Sequence, residues 1–188
     1  MLITQEYKQA LFNLHTRARW GVSAGKYAGD SVWQLLDARP EIQTILDYGC
    51  GEGALKKWIE DKGITDRDWT LYDPGMLRYQ EMPTGKFDLV ITTDVLEHVE
   101  EITLNNVLKH LRELTGKYLY SEIACYLTRG TFEDGPYKGH PHHINLKAPD
   151  VWRQRLEHPH FDVIESFPSL LEGWKVRYLM IQKVRELG

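Results

Sequence analysis

The residues with the clearest capacity for chemistry stand in one string, Ile45-Leu46-Asp47-Tyr48-Gly49-Cys50-Gly51-Glu52-Gly53. Three glycines at alternate positions let a backbone turn tightly and let a ligand approach with no Cβ in the way. Ala54 to Lys62 follows with helical spacing. The turn therefore leads into a helix N-terminus, whose unpaired N–H groups and positive dipole end attract anionic groups. Asp73 ends the next apolar run, and its two oxygens match the spacing of a ribose diol. Together these residues read as a nucleoside site, whereas the glycines alone are equally a plain strand–helix turn. Gly49-x-Gly51-x-x-Ala54, with Asp73 22 residues after Gly51, also satisfies the dinucleotide fingerprint. Spacing thus leaves NAD and another adenosine ligand both open.

A second constellation follows the strand Phe87 to Thr93. Asp94, Glu97 and His98 are spaced i, i+3, i+4, which on a helix puts them on one face. Two carboxylates and an imidazole there suit a mixed oxygen/nitrogen metal site, with His143 or a neighbouring histidine as a further ligand. The plainer alternative is a helix cap. Three of the eight histidines fall in Gly139-His140-Pro141-His142-His143. Tyr126 and Arg129 open the same segment and are candidates for acceptor contact, against a solvated loop. Trp20-Gly21 and Lys26-Tyr27 are candidates for an N-terminal lid, against a packed helix end. His158 and His160 flank Pro159 and read as surface residues.

Strands and helices must position these groups. Ile3 to Arg19 has helical spacing, and Asp30 or Ser31 is the expected cap of a second helix carrying Val32, Leu35 and Leu36. Thr44 to Asp47, Trp69 to Tyr72, Phe87 to Thr93 and Lys117 to Ala124 read as strands, and Val95 to Thr115 as one helix. Residues 125–148 form a long connection rich in glycine and proline, expected to cover an acceptor and to be mobile without ligand. Pro149 to Leu156 is a short helix, and Phe161 to Phe167 with Trp174 to Lys183 make a terminal hairpin. The alternation predicts an α/β fold, a doubly wound and mostly parallel sheet with an antiparallel C-terminal hairpin. Ligands in such sheets bind beyond the carboxyl ends of the strands, where the motif residues stand. The expected organisation is a single domain, 1–188, with a helical cap (1–40), a cofactor-binding core (44–124), a substrate-side loop (125–148) and a C-terminal helix and hairpin (149–188).

Composition bounds the partners. The 188 residues are 42% hydrophobic and 11% aromatic, enough for a core. No apolar run reaches the ~18–20 residues of a membrane span. Two cysteines, Cys50 and Cys125, make no disulfide framework, which points to a reducing, cytoplasmic setting. A net charge of −4 gives no whole-chain attraction for nucleic acid, without excluding a local basic patch, and fixes no oligomeric state.

In order, Asp47-x-Gly49-x-Gly51-x-Gly53, Leu71-Tyr72-Asp73 and Phe87-Asp88-Leu89-Val90-Ile91-Thr92-Thr93-Asp94-Val95-Leu96-Glu97-His98-Val99 resemble the successive motifs of class I S-adenosylmethionine (SAM)-dependent methyltransferases, compact phage-encoded members included. The resemblance implies a Rossmann-like, seven-stranded-type sheet and SAM as cofactor. It implies that Asp47 organises the glycine loop of Tyr48, Gly49, Cys50, Gly51 and Gly53, that Asp73 holds the ribose, and that Thr93 and Asp94 lie near the reactive methyl. Only 13 residues separate Asp73 from Phe87, so the third strand–helix unit should be vestigial, around Met76 to Tyr79. The chain lacks the Asn/Asp-Pro-Pro-aromatic segment of base-amine methyltransferases and a Pro-Cys nucleophile. The expected acceptor is a small molecule, or a hydroxyl or amine on a larger substrate. The acid-x-x-Glu-His string is similar to that of two metal-dependent groups, small-RNA terminal 2′-O-methyltransferases and ubiquinone-pathway O-methyltransferases. That similarity implies Glu97, His98 and His143 as metal ligands and, with Asp94, as catalytic groups. Asp94 departs from the longer glutamate of those groups. The rival readings are a NAD-dependent oxidoreductase and a cofactor-binding partner subunit without chemistry.

Overall fold

The computed structural model describes residues 1–17, 21–157, 161–168 and 175–182. The readings on Arg19, Trp20, His158, Pro159, His160, Trp174 and Lys183 lie outside the described residues. In chain order the elements are α1 (Gln5–Arg17), α2 (Ala24–Ala38), β1 (Thr44–Tyr48), α3 (Ala54–Asp61), β2 (Asp68–Tyr72), β3 (Phe87–Thr93), α4 (Glu101–Leu114), β4 (Thr115–Ala124), α5 (Pro149–Glu157), β5 (Phe161–Pro168) and β6 (Lys175–Gln182). They build one six-stranded sheet in the order β2-β1-β3-β4-β6-β5. β2, β1, β3 and β4 run parallel, and β6 and β5 form the antiparallel hairpin. The third unit is reduced to a 3-10 turn, Leu77–Tyr79, which leaves β2 as a sheet edge.

Side-chain alternation along the strands builds a core on each face of the sheet. On one face Leu46, Val90, Leu119 and Met180 meet Leu104, Val107, Leu108 and Leu111 of α4 and Trp152 of α5. The α4 residues recur at helical spacing, and full burial of each contributes about 1.5–3 kcal/mol. On the other face Ile45, Leu89 and Ile91 meet Val32, Leu35, Leu36, Leu55 and Ile59 of α2 and α3.

Two expected helix starts are corrected. α2 begins at Ala24 rather than after Asp30 or Ser31, which lie inside it. Gly25 and Gly29 are packing residues, not turn residues: a Cβ on Gly29 would stand 2.3 Å from Trp58 Cδ1 of α3. The helix expected from Val95 is also broken. Asp94 adopts φ +54°, Leu96–His98 form a 3-10 turn, and α4 starts only after Glu100. Asp94, Glu97 and His98 therefore do not share an α-helical face. Among the described residues no helix is long and apolar enough to cross a membrane.

Candidate functional site

β1 delivers the glycine turn. Gly49 and Cys50 donate their N–H groups to the Tyr72 carbonyl at 2.7 and 3.1 Å, which locks the turn against the end of β2. Gly49, Gly51 and Gly53 all have left-handed φ, at +84°, +51° and +77°. A Cβ on Gly49 would meet Val95 Cγ2 at 2.4 Å, and one on Gly51 would meet the Gly21 carbonyl oxygen at 2.5 Å. The N-terminal segment thus docks on the turn, and the Glu52 N–H donates to the Gly21 carbonyl at 3.1 Å. Asp73, 6% exposed, accepts from Gly51 N at 3.0 Å and Gly75 N at 2.8 Å, with His15 Nε2 3.7 Å away. This carboxylate braces the turn as well as facing the cavity. Cys50 is buried in the turn, and burial pushes its thiol up, with Asp47 and Asp73 adding to the effect.

Asp47 lies beneath the turn, 1% exposed, and its Oδ2 has no hydrogen-bond partner among the described residues. Burial, then the neighbouring Asp73 charge, pushes its carboxyl up to about 7. The folded protein therefore keeps a proton on Asp47 to about pH 7, whereas the unfolded chain releases it near 3.8. Between those two values folding must take up a proton, so stability falls by about 1.4 kcal/mol per pH unit from near pH 4 to pH 7, and above pH 7 the cost of the buried charge is constant. Asp47→Asn removes this cost. Relative to the parent protein, its melting temperature should gain by a margin that widens from pH 4 to pH 7 and stays level from pH 7 to pH 9. Parallel stability profiles would contradict the assignment.

β3 delivers Thr93 and Asp94, and here a partner set emerges that sequence reasoning missed. Lys175, first residue of β6, places Nζ 2.6 Å from both oxygens of Asp94 and 3.2 Å from Glu122 of β4. Arg177 donates to Glu122, to Ser31 Oγ at 3.1 Å and to the Tyr27 carbonyl at 3.1 Å. The Tyr27 ring lies over Lys175 at 5.3 Å. Burial disfavours the charged lysine, but Asp94 and Glu122 outweigh it and raise its pKa. The available signal was Lys175 and Arg177 at alternate positions of an apolar strand, an inward charged pair where Val176, Tyr178 and Met180 supply the other face.

Glu97, His98 and His143 come together: each offers a ligand atom, and these lie within 4.8 Å of one another. Glu97 is fully buried. Its Oε1 accepts from Ala124 N at 2.9 Å, and its Oε2 has no hydrogen-bond partner among the described residues. Burial, then Asp94, raises its pKa well above the carboxylate range. His98 Nδ1 lies 2.8 Å from the His142 carbonyl, and His143 Nδ1 lies 2.7 Å from the Tyr126 carbonyl. A carbonyl only accepts, so both Nδ1 atoms carry the proton and Nε2 is the basic nitrogen on each ring. Burial, then His143, lowers His98 to about 4, and burial lowers His143 as well. Both imidazoles are neutral at pH 7. Asp94 stands apart from this trio, held by Lys175.

Gly49, Gly51, Asp73, Asp94, His98 and His143 are among the residues that line one cavity of about 530 Å³. α1 roofs it through Tyr7, Leu11 and His15. The 125–148 connection packs on α1: Phe132 and Tyr137 bracket the Tyr7 ring at 5.8 and 4.8 Å. Glu100 binds both parts, accepting from Thr4 N at 2.9 Å and Tyr137 OH at 2.6 Å.

Comparison with known proteins gives concordant matches. A family model described as a methyltransferase domain matches residues 18–173. A curated relative, the mitochondrial ubiquinone biosynthesis O-methyltransferase of Saccharomyces cerevisiae, is 33% identical over 103 residues. That stretch covers 43% of this chain and only 32% of the yeast protein, so the chain spans about a third of that relative. Among solved structures, magnesium protoporphyrin IX methyltransferase from Synechocystis PCC 6803 with bound SAM aligns with a TM-score of 0.64 at 16% identity, covering 96% of this chain and 99% of that one. The 1,6-didemethyltoxoflavin-N1-methyltransferase of Burkholderia thailandensis, with its substrate and S-adenosylhomocysteine, aligns with a TM-score of 0.60 at 17% identity, covering 98% and 92%. At these identities the two structures establish the shared fold.

Proposed function

The chain belongs to the methyltransferase-domain family, and from that membership we propose that it transfers a methyl group from SAM to an oxygen or nitrogen atom of an acceptor. The observation that carries this reading is the side-chain-free glycine turn braced by Asp73 at the edge of a cavity whose other end holds Asp94, His98 and His143. Family membership leaves the oxidoreductase alternative without support.

The chain's own residues fit the cofactor. Gly49, Gly51 and Gly53, with Tyr48 and Cys50 between and before them, shape a backbone cradle, and Asp47 holds it from below. Each Asp73 oxygen accepts one N–H and keeps a second lone pair for a ribose hydroxyl. Thr93 and Asp94 border the place where the methyl group must lie. When bound, SAM supplies a methyl group activated by its sulfonium. The protein then has mainly to hold the nucleophile in line, at near-attack distance, under a roof that excludes water. A neutral imidazole at His98 or His143 can take the acceptor's proton where the acceptor carries one.

The trio also fits a divalent ion. Fixed Nδ1–H tautomers and an orphaned buried carboxylate oxygen are the arrangement that a mixed O/N site requires. Glu97, His98 and His143 would hold the ion, with Mn, Fe, Co, Ni or Zn suited to that donor set. When bound, it supplies Lewis acidity that lowers the pKa of an acceptor hydroxyl. The yeast relative is named as an O-methyltransferase, which favours oxygen as the acceptor atom. The named neighbours act on porphyrin and toxoflavin compounds, which favours a small molecule.

Incubation of cell extract with the protein and methyl-labelled SAM, followed by mass spectrometry, tests the reading. A labelled small molecule should form with the parent protein, and formation should fall with chelator, with His98→Ala and with His143→Ala. Loss of a ligand should cost at least the ~10–100-fold typical of losing an outer-shell partner. Unchanged turnover in chelator and in both variants would remove the metal from the mechanism.

A further inference from the structure

The cavity has two chemically different ends, and the sheet fixes which is which. Along the carboxyl edge of the strands Asp73 follows β2, the glycine turn follows β1, Asp94 follows β3, Glu122 lies near the end of β4, and Lys175 begins β6. Neighbouring strands are about 4.8 Å apart, so Asp73 and Lys175 are widely separated. The groups able to assist a reaction, Asp94, His98, His143 and Lys175, gather at the β3–β4–β6 end. A methyl group has to be presented there. With the ribose at Asp73, the nucleobase must then occupy the opposite end, beside β1 and β2.

That end is apolar and closed in an unusual way. Its walls include Tyr48, Tyr72, Val99 and Val107, with the Tyr48 and Tyr72 rings 4.9 Å apart. Among the described residues no third strand flanks β2; instead the segment before α1 contributes to the wall, where Leu2 and Ile3 line the cavity and Leu2 packs on the cluster containing Tyr48, Tyr72 and Val107. Two anchors tie this segment to α4 and its cap. Glu100 accepts from Thr4 N at 2.9 Å and Thr4 Oγ1 at 2.8 Å, and Asn106 Nδ2 donates to the Met1 carbonyl at 3.0 Å.

We propose that Leu2 and Ile3, strapped to α4 through Thr4–Glu100, form the outer wall of the nucleobase pocket and set the size of purine it accepts. This inference rests on the SAM reading above and assigns to an N-terminal strap the enclosure that the missing strand–helix unit would have provided. A flat, uncharged purine suits an apolar slot closed by aliphatic side chains on one side and tyrosine rings on another.

Calorimetric titration of the full chain with S-adenosylhomocysteine, and with its derivative bearing a benzyl group on the adenine amino nitrogen, tests it. The parent protein should bind the natural compound and discriminate against the benzylated one. In the double variant Leu2→Ala/Ile3→Ala the wall recedes, so the affinity ratio should narrow by about tenfold or more, the scale of an apolar side chain's contact. Glu100→Ala should narrow the ratio in the same direction by releasing the strap. If that variant fails to fold by circular dichroism, the Leu2/Ile3 pair decides alone. An unchanged ratio with natural binding retained overturns the wall assignment. Absence of S-adenosylhomocysteine binding to the parent protein overturns the cofactor reading, and the wall with it.

Discussion

Gly51→Val should abolish binding of S-adenosylhomocysteine, by more than 100-fold, on the scale set by loss of several contacts at once. Two effects act together. Gly51 has φ +51°, a left-handed conformation that costs a side chain about 1–2 kcal/mol and a β-branched one the most. Its Cβ would also lie 2.5 Å from the Gly21 carbonyl oxygen and 2.7 Å from Gly21 Cα, both backbone atoms that yield only if the N-terminal segment undocks. The loop is thus disturbed from below and its roof lifted. The sheet should survive, because neither core includes Gly51. Normal binding with the melting temperature unchanged would show that the ligand does not use this turn.

Lys175→Met is expected to have the largest effect on stability. The ammonium, 5% exposed, serves Asp94 and the 1%-exposed Glu122 together. Its removal leaves Glu122 with Arg177 and takes the ammonium from Asp94, and breaking a buried pair by removing one partner costs about 3–5 kcal/mol. For a chain of this size that corresponds to a melting temperature lower by roughly 10 °C. Asp94, which lines the cavity, loses its ion pair with Lys175, so binding of the cofactor should change along with stability. A Lys175→Met protein that melts like the parent would mean that Asp94, Glu122 and their cations are solvated rather than buried. Double replacement with Glu122→Gln should recover part of the loss, since it removes one of the two charges deprived of the ammonium.

The sheet and its order of elements were legible because each strand was a short apolar run ended by glycine, proline or aspartate, and because strand–helix alternation admits few topologies. The shortfall of residues between Asp73 and Phe87 correctly implied a reduced third unit. Boundaries failed where a residue had two possible meanings. Gly25 and Gly29 look like turn formers but sit inside α2, where a Cβ would collide with the Ala54 carbonyl and with Trp58 of α3. Val95 to Val99 looks helical, yet left-handed Asp94 and the extended backbone at Val99 isolate a 3-10 turn. The trio of Glu97, His98 and His143 was legible as a chemical grouping, whereas the tautomers that make it fit a metal depend on the carbonyls of Tyr126 and His142, which no spacing reveals. Lys175 and Glu122 were missed because their pairing crosses from β6 to β4, a contact set by strand order rather than by sequence distance.

The cofactor claim is tested most directly by titrating S-adenosylhomocysteine and NAD separately into the purified protein by calorimetry, with Asp73→Ala alongside. One equivalent of S-adenosylhomocysteine should bind, with no heat from NAD. In Asp73→Ala the affinity should fall by the ~1.5–3 kcal/mol of a charged hydrogen-bonding group. Binding of NAD with no response to S-adenosylhomocysteine would contradict it.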